Sequence, residues 1–347
     1  MVLDARNPDS RRTRPARSAG RDGDETVVQL RACEPPMAAP SSACYRPGDI
    51  LAGRYRLVEP LGEGGMGSVW RARSLGLDVD VALKLIRPDT DVPQAAERLL
   101  KEARAAARVV HPAAVRVYDY CLTEAGDPFL VMEFLQGTSL ARHLTVAGPM
   151  TPVEAVCTLL PIIGALAAAH REGIVHRDVK PANIMLVQEG ERTVPKLIDF
   201  GIVGVIDPVW SRKLTVRGLM LGSPVYMAPE QVRALSDPDH RTDVWGICMT
   251  LYEALSGERP FDAPTTREIV LRILGTRAPR PVSLAEEPDL WSILQRGLSK
   301  SPDARWPSMG ALGRMLATWA AERGVLCDSS GAALAPCWLA PSSRRNP

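Results

Sequence analysis

The sequence lacks the marks of several protein classes. Its 347 residues carry a formal net charge of only +2, so no overall field points to nucleic acid or to a membrane surface. The seven cysteines, at positions 33, 44, 121, 157, 248, 327 and 337, are odd in number and show no C-x-x-C spacing. That argues against a disulfide framework or a zinc site and leads us to expect reduced thiols. The most apolar run is expected to fall short of the roughly 20 residues that a membrane span needs. The most apolar stretch, 153–169, carries Glu154, Pro161 and Gly164 and ends at His170, Arg171 and Glu172, so a buried core helix is expected. The N-terminus has scattered arginines but no apolar signal-peptide core. The expectation is a cytoplasmic protein with neither membrane nor nucleic-acid partners. No internal repeat is visible.

What is present is an ordinary globular composition, 46% hydrophobic and 24% charged, arranged in a definite order. Residues 1–52 are rich in Arg, Pro, Ser and Ala without periodicity and read as a disordered arm, its arginines diluted by Asp and Glu. Segments 54–61 and 68–73 then read as strands around a glycine-rich turn. Residues 79–86 alternate as a third strand, and 115–122 and 128–134 as two more. Residues 94–109 read as an alanine-rich helix. Beyond Gly137 the pattern turns helical, at about 151–171, 241–256, 266–275, 287–299 and 308–322, with short strands near 184–187 and 196–198. Thr151, Pro152 and Glu154 form a strong helix start. A small β-rich lobe precedes a larger α-rich one, an α+β arrangement that implies a cleft. Residues 323–347 revert to Ser, Ala, Pro and Arg and read as a flexible tail.

Five segments carry chemistry. Gly62, Gly64 and Gly67 match G-x-G-x-x-G, within a run completed by Leu61, Glu63, Gly65, Met66, Ser68 and Val69. Bare backbone N–H groups there can approach phosphate oxygens. A strand follows rather than a helix, which favours a flap over phosphates against a dinucleotide fingerprint. Lys84 sits in an apolar strand and Glu102 on the alanine-rich helix. Each alone reads as an ordinary solvated charge, but strand and helix can bring them together. The segment from His176 to Asn183 is decisive: Asp178 can accept or orient a hydroxyl proton, Lys180 can offset negative charge, and Asn183 offers a neutral oxygen to a hard cation. Asp199, sixteen residues beyond Asn183, ends a strand before Phe200 and Gly201 and can bind Mg²⁺. Ala228, Pro229 and Glu230 complete the series.

In this order the motifs resemble the eukaryotic-type protein kinase superfamily, and most of all the bacterial serine/threonine kinases, over residues of about 53–320. The resemblance implies a bilobal kinase-like fold, with a β-rich N-lobe bearing one helix at about 53–135 and a helical C-lobe at about 136–322. It implies an enzyme that uses ATP with Mg²⁺, or Mn²⁺, on Ser or Thr of protein substrates. Gly62, Gly64 and Gly67 would cover the phosphates, and Lys84 would hold them while pairing with Glu102. Asp178 would be the catalytic base, assisted by Lys180, and Asn183 and Asp199 would hold the metals. Val69, Ala82 and Met185 would enclose the adenine, with Leu61 at its edge, Met132 as gatekeeper and Glu133 to Leu135 as hinge. Glu230 would pair with Arg305, and Asp243 would anchor the catalytic loop. Autophosphorylation at Thr215, by transient self-association, is the expected switch, with Ser211 and Ser223 also in that segment. Gly246 and Cys248 depart from the family's usual Ser or Ala and Gly. A catalytically silent pseudokinase would have lost Lys84, Asp178, Asn183 or Asp199, and none is lost. A small-molecule kinase would usually lack Ala228-Pro229-Glu230.

Overall fold

A computed structural model describes residues 45–64, 67–86, 103–104, 106–199, 224–233 and 239–340. Six antiparallel strands form the first sheet: β1 (Ile50–Leu51), β2 (Tyr55–Gly64), β3 (Gly67–Ser74), β4 (Val79–Ile86), β5 (Val117–Leu122) and β6 (Pro128–Glu133), in the order β1-β2-β3-β4-β6-β5. Alternate residues of a strand face opposite sides, and β4 uses both. Val81, Leu83 and Leu85 join Leu57, Trp70, Phe129 and Val131 in one core, while Ala82 and Ile86 join the larger core on the other side. Lys84 shares the parity of Ala82 and Ile86 and is therefore aimed at the larger lobe. The alternating sequence of β4 thus marks a central strand covered on both faces.

A second sheet, β7 (Gly137–Ser139), β8 (Ile184–Glu189) and β9 (Arg192–Leu197), leads into the helical lobe. Its helices are α1 (Leu140–Ala147), α2 (Pro152–Arg171), α3 (Pro229–Arg233), α4 (Arg241–Ser256), α5 (Thr266–Gly275), α6 (Pro288–Gly297) and α7 (Met309–Ala321). The expected start of α2 is present: the Thr151 hydroxyl accepts the Glu154 N–H at 3.3 Å and the Glu154 carboxylate accepts the Thr151 N–H at 2.9 Å. At 20 residues and a mean hydropathy of 1.8, α2 is long and apolar enough to cross a membrane by composition. Its apolar residues, among them Leu159, Leu160, Ile162, Ile163 and Leu166, are instead buried in the core.

The expected tail behaves differently from its composition. Leu334 is 1% exposed, Cys327 bridges Ala333, and the 328–332 turn is held by the Asp328 carboxylate, which accepts N–H bonds from Ser330 and Ala332. Pro161 explains where this segment attaches. Lacking an N–H, it leaves the carbonyl of Cys157 without its helical donor, and the N–H of Ser329 supplies one at 3.2 Å. Residues 325–340 are thus a strap laid along α2, a feature that Ser/Ala/Pro composition conceals. Leu334→Ala is expected to cost about 2–5 kcal/mol, as for other buried leucines. A thermal or urea unfolding curve checks this, since a free tail would leave the transition unmoved.

Cys248 and Gly297 form a matched pair. A Cβ on Gly297 would lie 2.2 Å from the Cys248 sulfur, so the missing side chain on α6 makes room for the added one on α4. Burial pushes the Cys248 thiol up to about 12, which makes it a packing group and not a nucleophile. Gly297→Ala should destabilise by roughly 1–3 kcal/mol through overpacking, and Cys248→Ala in the same chain should restore most of that. A double-mutant cycle in urea reads it.

Candidate active site

Gly67 opens β3 at a φ of +143°, and a Cβ there would sit 1.8 Å from the Leu85 carbonyl. Only glycine allows this strand edge to close on β4. Past register shifts at Leu57/Glu59 and Pro60/Gly62, the hairpin pairs Gly62 with Val69, Glu63 with Ser68 and Gly64 with Gly67. The Ser68 hydroxyl accepts from the Trp70 indole at 3.1 Å. Ala82 lies directly opposite Met132 across β4 and β6, and Val69 and Leu135 pack on the same apolar surface. Met185 faces Ser139 across β7 and β8, and Leu61 is exposed. Glu133, expected at the hinge, does more than its place in the chain suggests: its carboxylate takes the Lys196 ammonium at 2.6 Å, tying the end of β6 to β9.

Lys84 is 7% exposed and its ammonium lies 2.7 Å from the Asp199 carboxylate. The structure thus joins the strand cation to a carboxylate two residues beyond the end of β9 and not, as expected, at the strand's last position. Its expected partner, Glu102, lies outside the described residues, as do Gly65, Met66, Phe200, Gly201, Ser211, Thr215 and Ser223.

The loop between α2 and β8 brings the remaining groups together. The Lys180 ammonium reaches the Asp178 carboxylate at 2.7 Å, and the Asn183 amide donates to the same carboxylate at 3.1 Å and to the Asp178 carbonyl at 2.7 Å. With its NH₂ so engaged, Asn183 keeps its oxygen as an acceptor. Of the four non-glycine residues with positive φ among the described residues, two lie here, Arg177 at +66° and Asp199 at +62°. Such backbone costs about 1–3 kcal/mol per residue and clusters at functional sites.

Asp243 is what holds the loop. It is 1% exposed, and its carboxylate accepts the N–H groups of His176 at 2.8 Å and Arg177 at 2.7 Å. The His170 ring, at the end of α2, approaches it at 2.7 Å. His176 lies beneath: its Nδ1 accepts the Asp178 N–H at 3.3 Å while Nε2 meets the Ile198 carbonyl at 3.0 Å, which specifies the neutral Nε2–H tautomer. One ring thereby connects the residue before Asp199 to Asp178. Gly246 sits directly under the loop, since a Cβ there would lie 2.9 Å from that of Val179.

A second anchor lies behind. Arg305 makes a bidentate pair with Glu230, 2.7 Å on each arm, and Thr242 donates to Glu230 at 2.8 Å. Gln231 donates to the Arg177 carbonyl at 2.9 Å and accepts from the Ala228 N–H at 2.9 Å, joining this anchor to the loop. Sequence reasoning missed His170, Lys196 and Gln231. Their partners lie 54 to 73 residues away, beyond the reach of any local pattern.

A glycine-edged hairpin, a buried strand lysine paired with an aspartate just past β9, and a loop that gathers Asp, Lys and Asn are together the arrangement of the protein kinases. A family model described as the protein kinase domain matches residues 55–313. The chain is 37% identical over 275 residues to serine/threonine-protein kinase pkn2 of Myxococcus xanthus, covering 77% of this chain and 32% of that one. It is 37% identical over 309 residues to PkaA of Streptomyces coelicolor, covering 82% and 55%, and 38% identical over 263 residues to PknB of Mycobacterium tuberculosis, covering 74% and 41%. The chain therefore spans about a third to somewhat over half of the length of these relatives. The solved kinase domain of Mycobacterium tuberculosis PknI superposes with a TM-score of 0.61 at 27% identity, covering 81% of this chain and all of that one. The chain belongs to the protein kinase domain family.

Proposed function

We propose that this chain is a serine/threonine protein kinase, moving the γ-phosphoryl group of ATP to a Ser or Thr hydroxyl of a protein. The observation that carries this reading is the Asp178 carboxylate, fixed by Lys180 and Asn183 in a loop that Asp243 clamps, with the Lys84–Asp199 pair completing the charged set. Asp178 orients the acceptor hydroxyl and takes its proton as the oxygen bonds to the γ-phosphorus and the bond to the β–γ bridging oxygen breaks. Lys180 offsets the charge on the transferred group. Lys84 holds the remaining phosphates, with the hairpin of Gly62, Gly64 and Gly67 above them. The apolar surface of Val69, Ala82 and Met132 receives the adenine, with Met185 opposite.

Asn183 and Asp199 suit a hard divalent cation. Among the described residues no group of three or more His, Cys, Asp or Glu gathers to form a self-sufficient metal cage. One carboxylate and one amide oxygen are instead what Mg²⁺ uses when nucleotide phosphates supply further ligands, and Mn²⁺ accepts the same donors. When bound, the ion neutralises phosphate charge. Incubation with γ-labelled ATP, Mg²⁺ and a generic basic protein should yield acid-stable phosphoserine or phosphothreonine. Lys84→Met should reduce transfer at least a hundredfold, in line with loss of one transition-state charge partner. Label found only on tyrosine, or equal transfer by Lys84→Met, would contradict the reading.

A further inference from the structure

The strap lies beyond residues 55–313, the part matched by the family model, yet it is seated beside the His111 turn, which is bonded to the end of β9. Its Trp338 ring covers α7 at Gly313, where a Cβ would lie 2.1 Å from the ring. At Gly164 of α2 a Cβ would meet the Trp338 ring at 3.8 Å and the His111 ring at 2.9 Å, so both rings flank one bare point of the helix. The same rings, with Asp328 and Ser330 of the strap, line a cavity of about 220 Å³. Two glycines on two helices thus make a seat for this one tryptophan beside His111.

From His111 a continuous set of hydrogen bonds runs to the metal-binding residues. The His111 Nδ1 accepts the Ala113 N–H at 3.1 Å, and its carbonyl accepts the Ala114 N–H at 3.0 Å, closing a tight turn. Burial, with Arg171 nearby, pushes the His111 pKa down, which keeps Nδ1 free of a proton to accept this bond. The turn grips Leu197 from both sides: the Ala113 carbonyl takes its N–H at 2.8 Å, and the Val115 N–H reaches its carbonyl at 2.9 Å. The next residue, Ile198, donates its N–H to the Asn183 carbonyl at 2.9 Å and meets the His176 ring through its own carbonyl. Asp199 follows at once.

We infer that the 325–340 strap is a positioning element of the active site, with Trp338 holding the His111 turn and, through Leu197 and Ile198, the placement of Asp199 and Asn183. This rests on the reading of those two residues as the metal site. A rigid ladder of this kind passes a displacement of the turn directly to the strand end, because each bond leaves little slack. Trp338 acts through the strand.

The test uses the full chain carrying Trp338→Ala or Trp338→Phe, at a temperature well below either variant's unfolding. Hydrogen exchange of the 111–115 and 195–199 segments needs no catalysis. Trp338→Ala should speed exchange there severalfold, leaving β2 and β3 unchanged, and Trp338→Phe should stay near wild type. In the transfer assay, Trp338→Ala should raise the Mg²⁺ concentration for half-maximal rate and KM for ATP about three- to tenfold, with a smaller fall in kcat. A purely structural strap would lower the unfolding temperature but leave exchange at 195–199 and the Mg²⁺ requirement as in wild type, and that result would overturn the inference. If wild type transfers no phosphate, the kinase reading fails, and the exchange experiment still decides whether the strap holds the strand.

Discussion

Asp178→Asn should lower kcat by about two to four orders of magnitude, the usual contribution of a positioned general base, while the protein stays folded and still binds nucleotide. The size follows from the site's geometry. The Asp178 carboxylate is the acceptor toward which Lys180 and Asn183 both donate. An amide of the same shape keeps one oxygen for Lys180 but presents an NH₂ where the other stood, and cannot take a proton. The loop itself does not depend on this side chain, because Asp243 holds the backbone of His176 and Arg177. KM for ATP should therefore change little beside kcat, the pattern expected when an interaction is lost mainly in the transition state. Steady-state kinetics with thermal unfolding of the same samples separates the two effects.

Glu230→Ala should produce the largest loss of stability. Arg305 is 1% exposed, and its guanidinium is bound by both Glu230 oxygens and by the carbonyls of Ser299 and Arg241. Removing the carboxylate leaves a buried cation without its counter-charge, which costs about 3–5 kcal/mol. That is a large share of the roughly 5–15 kcal/mol that holds a domain together. Glu230→Gln, which keeps the shape and one acceptor, should fall between alanine and wild type. Burial alone pushes the Glu230 carboxyl up, but the Arg305 hydrogen bonds and charge, with Thr242, hold it below the usual range. The folded state thus favours the ionised form. Its contribution is fully present above the unfolded value, near 4.3, and is lost as pH falls through the lower folded value. In acid titrations followed by denaturant midpoint, wild type should lose this increment below about pH 4.3, while Glu230→Gln should lack it.

Much of this molecule is legible in its sequence where chemistry is local. The helix 241–256 appears with those bounds in α4, a segment buried without a break from Thr242 to Tyr252. Asp178, Lys180 and Asn183 meet because they lie at most five positions apart in one loop. Lys84 faces inward because strand parity puts it beside Ala82 and Ile86. The limits lie where contacts are distant or composition misleads. His170 reaches Asp243 across 73 positions. The hairpin 184–197 is longer than its apolar residues suggest, since Gln188, Glu189, Arg192 and Thr193 extend it as paired polar strand ends, all exposed but the half-buried Thr193. The strap carries only one fully buried apolar residue, Leu334, and its attachment depends on a carbonyl freed by Pro161 in another helix. No pattern within 323–347 encodes that partner.

The central claim is that this site transfers phosphate from ATP to protein hydroxyls through Asp178. Its most direct test measures γ-phosphate transfer by wild type and Asp178→Asn side by side, with Mg²⁺ and a generic basic protein as acceptor, and nucleotide binding checked in both. The account predicts phosphoserine or phosphothreonine from wild type alone, with binding retained by the variant. Equal transfer by both proteins, or none by wild type with nucleotide bound and Mg²⁺ and Mn²⁺ each supplied, would contradict it.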